Sequence, residues 1–422
     1  MGDTKTNILL ISYVFPPYYG IGGRRWARHA EALTELNYRV HVICAKNQFK
    51  KTSLWYDNIK NNPNIILYQL PAKYPSVLVN YPKNLIQKIE YKIWDAILPM
   101  ISKGSYYDRT LFWKKPMLKT ASSIIEKYNI KHVICTGGPF SVMYYATQLK
   151  EKFAGLFLLS DFRDPWTWGP NWGYSSLSVK RMKYEKELER KTVERSDVIS
   201  IPGDGMQKYF EENYPDQRLR LTIIPHFYDP NEINPKPKET SDKVRFILYG
   251  TIYQNMSRVI KKTAEMFARF KDRVILDIYS DQIEHKQVFM TAGATNVTIY
   301  QPLPPKQLFE KFINYDYVYL LNPNYNTNNI STKFYEIIAS RTPVWLVSDY
   351  GKGAEFLKSN DLGIWVTESN MEEQFEKLLN KQLIFNYNSS FNIRNFALPN
   401  VAKQISEILK KRSPLKIDNI AF

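Results

Sequence analysis

Ile8-Leu9-Leu10-Ile11-Ser12-Tyr13-Val14-Phe15-Pro16-Pro17-Tyr18-Tyr19-Gly20-Ile21-Gly22-Gly23-Arg24-Arg25 opens with an apolar run, passes through a Pro/Gly loop and enters a helix. Ile8–Tyr13 reads as a strand. Arg24–Leu36 reads as an amphipathic helix with Trp26, Ala30 and Leu33 on one face. Strand, glycine loop and helix in that order form the repeating unit of parallel α/β sheets. Gly22 and Gly23 allow backbone to approach a ligand closely, and the amides at the helix start attract an anion. The spacing is not Gly-x-Gly-x-x-Gly, so the dinucleotide-binding fingerprint fails. A plain tight turn is the competing reading.

The same grammar continues outward from this stretch. Strands are expected at Val40–Cys44, Val133–Cys135, Leu156–Ser160 and Val198–Ile201, with helices at Ser141–Lys152 and Ser178–Arg195. Pro225, Pro230, Pro235 and Pro237 fall in a stretch of little apolar content, which reads as a linker. A second series follows, with strands at Val244–Tyr249, Val274–Tyr279, Val297–Tyr300, Tyr317–Leu321 and Val344–Val347. Helices lie at Arg258–Phe270, Lys306–Asn314, Ser331–Ser340 and Val401–Lys411. A chain of 422 residues suits two domains. The partition is an N-terminal domain over 1–224, a linker over 225–243, a second domain over 244–400 and a terminal helix and tail over 401–422.

Charge is uneven. The net charge is +17, of which residues 1–200 carry +14, and 46–132 hold 15 Lys/Arg against 5 Asp/Glu. A one-sided basic surface favours an anionic partner. No nucleic-acid motif accompanies it, so anionic lipid is preferred over nucleic acid. Residues 74–118 interleave Tyr81, Leu85, Ile86, Ile89, Ile93, Trp94, Ile97 and Leu98 with Lys83, Lys88, Lys92 and Lys103, and Tyr106, Tyr107, Phe112 and Trp113 follow. This pattern fits the headgroup zone of a membrane, or equally a helix covering the sheet. No apolar run approaches the roughly 20 residues needed to span a bilayer. Cys44 and Cys135 sit in strand-like runs and read as buried free thiols in a reducing compartment. The location expected is cytoplasmic, peripheral at a membrane.

Three further segments carry chemistry. Ser160-Asp161-Phe162-Arg163-Asp164-Pro165-Trp166 ends a strand, where open α/β sheets bind ligands; a structural Arg163–Asp164 pair is the plainer alternative. Ser331-Thr332-Lys333-Phe334-Tyr335-Glu336 starts a helix whose amides can face a phosphate, and Glu336 can accept hydrogen bonds from ribose hydroxyls. Leu248-Tyr249-Gly250-Thr251 ends a strand ahead of Arg258, Lys261 and Lys262, a candidate diphosphate clamp. The five histidines are scattered with no metal-ligand spacing, and no Gly-x-Ser-x-Gly elbow occurs.

Taken together, the opening loop, Asp161-Phe162-Arg163-Asp164-Pro165-Trp166 and Ser331-Thr332-Lys333-Phe334-Tyr335-Glu336 resemble the family-4 glycosyltransferases of bacterial surface-polysaccharide biosynthesis. The resemblance implies two Rossmann-like domains facing across a cleft, the GT-B architecture. It also implies retaining, metal-independent sugar transfer with no cofactor beyond a nucleotide-diphosphate sugar as co-substrate. Glu336 matches the second glutamate of the family's Glu-x7-Glu pattern, and Asn328 stands where the first would be. Asp161 stands where many relatives carry a histidine near the reacting carbon, so Asp161 and Arg163 are the catalytic candidates. Gly22, Gly23, Gly250, Arg258, Lys262, Asn328, Ser331, Thr332, Lys333 and Glu336 are the donor-binding candidates. Pro225-His226-Phe227-Tyr228-Asp229 departs from the usual Pro-Asn-Gly-x-Asp. The expected partners are a nucleotide sugar, a lipid-linked or glycan acceptor and an anionic membrane surface. A sugar-nucleotide 2-epimerase of the same fold and a non-catalytic membrane scaffold are the rival readings.

Overall fold

The computed structural model describes residues 5–80, 82–169, 174, 176–233, 241–252, 254–282, 285–322, 329–383 and 385–413. Two compact units emerge. The first reaches Pro225 and takes in the chain again from Pro399; the second runs His226–Leu398. Asn328 and Tyr81 lie outside the described residues.

Seven parallel strands form the first sheet: β1 (Thr6–Ile11), β2 (Tyr38–Ala45), β3 (Ile65–Leu70), β4 (His132–Thr136), β5 (Phe157–Asp161), β6 (Val198–Ile201) and β7 (Leu221–Ile223). Their order is β3-β2-β1-β4-β5-β6-β7, with Ile8 opposite Val40 and Leu10 opposite Ile134. The helices of this part are α1 (Arg24–Glu35), α2 (Tyr56–Asn61), α3 (Ser76–Val79), α4 (Leu85–Ile101), α5 (Lys114–Tyr128), α6 (Ser141–Lys152), α7 (Val179–Arg195) and α8 (Gln207–Asn213). Helices cover both faces of a parallel sheet, so the central strand β1 is apolar and buried from Ile8 to Ile11.

The second sheet repeats the plan with β8 (Val244–Tyr249), β9 (Val274–Tyr279), β10 (Val297–Tyr300), β11 (Tyr317–Leu321), β12 (Val344–Val347) and β13 (Gly363–Val366), in the order β10-β9-β8-β11-β12-β13. Its helices are α9 (Ser257–Arg269), α10 (His285–Thr291), α11 (Pro305–Phe312), α12 (Thr332–Ala339), α13 (Lys352–Ser359) and α14 (Met371–Leu379). The last helix, α15 (Leu398–Lys411), packs with the first unit, where the Ser406 and Tyr38 hydroxyls lie 3.0 Å apart. Each unit is thus a doubly wound, Rossmann-like sheet whose strand order reverses beside its first strand. The reversal falls between β1 and β4 in the first sheet and between β8 and β11 in the second.

Two features differ from the sequence expectation. The edge strands β3, β7 and β13 are additional; β7 and β13 are 3 and 4 residues long, too few to show a period, while β3 is only partly buried along its 6 residues. The helix expected in 74–118 forms as α4, but it does not cover the sheet with its apolar face. Leu98 alone among its residues is buried.

Candidate functional site

In open α/β sheets, ligands bind beyond the carboxyl ends of the strands at the point of reversal. In the first unit three loops meet there. The loop after β1 carries Gly22 and Gly23, the loop after β4 carries Gly137 and Gly138, and the loop after β5 carries Arg163 and Asp164. Arg163 ties them together. Its guanidinium donates to the carbonyl oxygens of Gly22 and Gly138 and stands 3.3 Å from the Asp164 carboxylate. The lack of side chains makes this approach possible: a Cβ on Gly22 would lie 3.0 Å from the guanidinium, and one on Gly138 would lie 2.4 Å away. Gly138 also has a φ of 77°, which favours glycine. The Gly137-Gly138 pair was missed in the sequence, although it repeats the strand, glycine, helix signal of the opening stretch.

Asp161 stands at the end of β5, just ahead of Arg163. Its carboxylate is fully buried, and each oxygen accepts two hydrogen bonds. Oδ2 accepts from Trp26 Nε1 at 2.7 Å and from Thr136 Oγ1 at 3.0 Å; Oδ1 accepts from Ser200 Oγ at 2.8 Å and from Arg25 at 3.4 Å. Burial alone pushes its pKa up. Arg25 and the three neutral donors outweigh burial and leave the carboxyl below its ordinary range. Arg25 in turn donates to the carbonyl oxygens of Ile224 at 2.6 Å and Pro225 at 3.0 Å. Asp161 is one of the two catalytic candidates, and here its carboxylate oxygens are turned inward onto these four donors. It anchors the start of α1 behind the glycine loop.

Asp108 and Glu185 are two further buried carboxylates of the first unit. Glu185 of α7 accepts from Ser105 N at 2.7 Å and from Trp166 Nε1 at 2.9 Å. Asp108 accepts from the amide of Ser141 at the start of α6, at 3.1 Å. Burial first, and then the neighbouring Asp108 charge, raises Glu185 to about 7. Neither residue stands in a recognisable motif, because their partners are distant in the chain.

In the second unit the loop after β8 meets the start of α12. Lys333 Nζ donates to the carbonyl oxygen of Tyr249 at 2.8 Å and sits 5.0 Å from that residue's ring centroid. Gly250 has a φ of 86°, and a Cβ there would lie 2.8 Å from Lys333 Nζ. Glu336 is buried one turn further along α12, and Tyr249 Oη donates to it at 3.5 Å. Burial draws the Lys333 pKa down to about 8, against the pull of Glu336. Ser331 occupies the N-cap of α12 without a side-chain cap bond, and Thr332 begins the helix. Gly250, Ser331, Thr332, Lys333 and Glu336 are therefore gathered at one point.

Arg258 and Lys262 are held elsewhere. Arg258 pairs with the Glu368 carboxylate at 2.5 Å in a largely exposed contact, and Lys262 donates to the Glu368 carbonyl at 2.6 Å. Glu368 follows β13, and no sequence signal marked it. Among the described residues no group of three or more His, Cys, Asp or Glu could hold a metal ion, and no helix is long and apolar enough to cross a membrane.

No protein-family model matches the chain, and no curated protein matches it in sequence. Solved structures do match in fold. A glycosyltransferase from Rickettsia africae is similar over 97% of this chain and 98% of its own, with a TM-score of 0.64 at 13% identity. HepE from Anabaena, solved in complex with UDP, is similar over 96% of this chain and 100% of its own, with a TM-score of 0.62 at 10% identity. A putative UDP-N-acetylglucosamine 2-epimerase from Listeria monocytogenes is similar over 98% of this chain and 100% of its own, with a TM-score of 0.57 at 11% identity. At such identities the likeness speaks for the fold: this chain has the two Rossmann-like domains of the GT-B glycosyltransferases.

Proposed function

We propose that the chain is a glycosyltransferase that moves a hexose-type sugar from a nucleotide-diphosphate donor to a lipid-linked or polysaccharide acceptor at the cytoplasmic face of a membrane. The observation that carries this reading is the convergence of Lys333, Gly250 and Glu336 at the strand-order reversal of the second sheet. In this reading Glu336 accepts hydrogen bonds from the ribose hydroxyls. Gly250 admits the diphosphate close to the backbone, and Lys333 with the amides at the start of α12 stabilises the charge that develops on the leaving group. Arg258 and Lys262 add positive charge on exchanging Glu368 for phosphate. On the acceptor side, Gly22, Gly23 and Arg163 form the surface that Asp161 positions from behind. The family-4 resemblance extends the proposal to retention of anomeric configuration without a divalent metal. The glycosyltransferase and the UDP complex among the structural neighbours support the donor class.

Thermal melting with uridine, guanosine, thymidine and adenosine diphosphates, on wild type and Glu336→Ala, tests the donor site. One diphosphate is expected to stabilise the wild type and to lose that effect in the variant. Absence of stabilisation by all four would count against the proposal. The Listeria epimerase neighbour favours a second reading, 2-epimerisation of a nucleotide sugar. Product analysis without acceptor separates the two: an epimerised nucleotide sugar supports the second, and an unchanged donor supports transfer.

A further inference from the structure

Helix α4 is apolar on the wrong side for a helix that covers a sheet. Leu85, Ile89, Ile93 and Ile97 recur every fourth residue, and Ile86, Ile93 and Met100 every seventh, so all six share one broad stripe. That stripe faces away from the protein. Leu85 is 73%, Ile86 77% and Met100 83% exposed, and Ile89, Ile93 and Ile97 are exposed as well. Exposing so many large aliphatic side chains side by side is unfavourable in water and marks a surface that some partner covers. The helix is nevertheless firmly held from behind. Leu98 is buried, Arg181 of α7 donates to the carbonyl oxygens of Pro99 and Gly104, and Ser105 N donates to Glu185.

The flanks identify the partner. Lys83, Lys88, Lys92 and Lys103 are exposed on and around α4, with only Glu90 and Asp95 as acids along the helix. Tyr91 and Tyr107 are exposed beside it, and the Tyr106 and Tyr107 rings pack 4.1 Å apart. A second copy of the chain would set this lysine-flanked patch against itself, bringing like charges together around the seam. A bilayer offers acyl chains for the stripe, anionic headgroups for the lysines and an interfacial layer for the tyrosines.

We infer that α4 lies in the interfacial plane of an anionic bilayer, with Leu85, Ile86, Ile89, Ile93, Ile97 and Met100 entering the acyl boundary and Lys83, Lys88, Lys92 and Lys103 meeting the headgroups. This deepens the membrane part of the proposed function by naming the element that docks and the lipid class it needs.

The test is flotation of the full chain with vesicles of pure phosphatidylcholine and with vesicles in which roughly one lipid in three is phosphatidylglycerol. The wild type is expected to float with the anionic vesicles and to remain below with the neutral ones. Ile89→Ser with Ile93→Ser and Met100→Ser is expected to reduce flotation by about tenfold or more. Because the replaced side chains are exposed, the variant keeps its wild-type melting temperature. Lys88→Glu with Lys92→Glu is expected to abolish flotation as well. The inference is overturned if the wild type fails to float, floats equally with both vesicles, or floats undiminished in the serine variant. It is equally overturned if sedimentation finds a wild-type dimer that the serine changes dissociate. No nucleotide or acceptor enters this measurement, so its failure leaves the diphosphate-binding test standing, and the reverse.

Discussion

Lys333 Nζ donates to the carbonyl oxygen of Tyr249 across 2.8 Å, which fixes a cation against the one residue, Gly250, that has no side chain to block it. The ammonium is held by a backbone carbonyl with the Glu336 charge nearby, and in the proposed function it meets the donor phosphate.

Gly250→Ala tests that arrangement. The added Cβ would lie 2.8 Å from Lys333 Nζ, and alanine at a φ of 86° costs on the order of 1 kcal/mol in strain. The ammonium must therefore move off the Tyr249 carbonyl. We expect affinity for the preferred nucleoside diphosphate to fall about tenfold by calorimetric titration, a loss of ~1.4 kcal/mol. Unchanged affinity would detach Lys333 from the donor site.

The pH dependence of binding follows from the same lysine. Burial lowers its pKa from 10.5 to about 8, so the ammonium is lost well before an exposed lysine would lose it. Diphosphate binding is expected to weaken as pH rises through about 8, and Lys333→Met is expected to bind weakly with no such step. The stability effect has the opposite sign. Between about 8 and 10.5 the unfolded chain holds the proton that the folded chain has shed, so the contribution of Lys333 to stability rises with pH across that window. Melting temperatures of wild type and Lys333→Met across the window measure it.

The fold was legible because the chain repeats one signal. Ile8–Tyr13 running into Gly22-Gly23 and Arg24, and Val244–Tyr249 running into Gly250 and α9, each announce the first strand of a doubly wound sheet. The gathering of Lys333, Glu336 and Gly250 was legible in part, since Lys333 and Glu336 share one helical turn. What stayed hidden rests on contacts between residues far apart in sequence. The bond from Trp26 to Asp161 joins α1 to β5, and nothing in Asp-Phe-Arg-Asp reveals that the first carboxylate points inward while Arg163 reaches two glycine carbonyls. The outward face of α4 was equally hidden, because an amphipathic pattern states that a helix has an apolar side but not what covers it.

Asp161→Asn separates positioning from catalysis. The change keeps the shape but removes the charge that Arg25 faces inside the first unit, and it turns an amide nitrogen toward donors that the carboxylate accepts from. Breaking one partner of a buried pair costs roughly 3 to 5 kcal/mol. A lower melting temperature is the expected result, with residual transfer activity in whatever fraction stays folded. A variant as stable as wild type but inactive would assign the catalytic role to Asp161.

Glu185 makes the first unit sensitive to pH near neutrality. The residue is 1% exposed, and its carboxyl is raised from 4.5 to about 7 by burial and by the Asp108 charge. A pKa raised in the folded state contributes stability that is complete below 4.5 and is lost as pH climbs through about 7. The full loss is roughly 3 kcal/mol. Glu185→Gln removes the titration. It also turns an amide nitrogen toward one of the two donors, Ser105 N or Trp166 Nε1, that the carboxylate accepts. The variant is therefore expected to melt below wild type at about pH 5, and the gap is expected to narrow or reverse by about pH 8. A gap that stays constant between those pH values would mean that Glu185 is ionised throughout and that its two donors and the surrounding dipoles hold the charge.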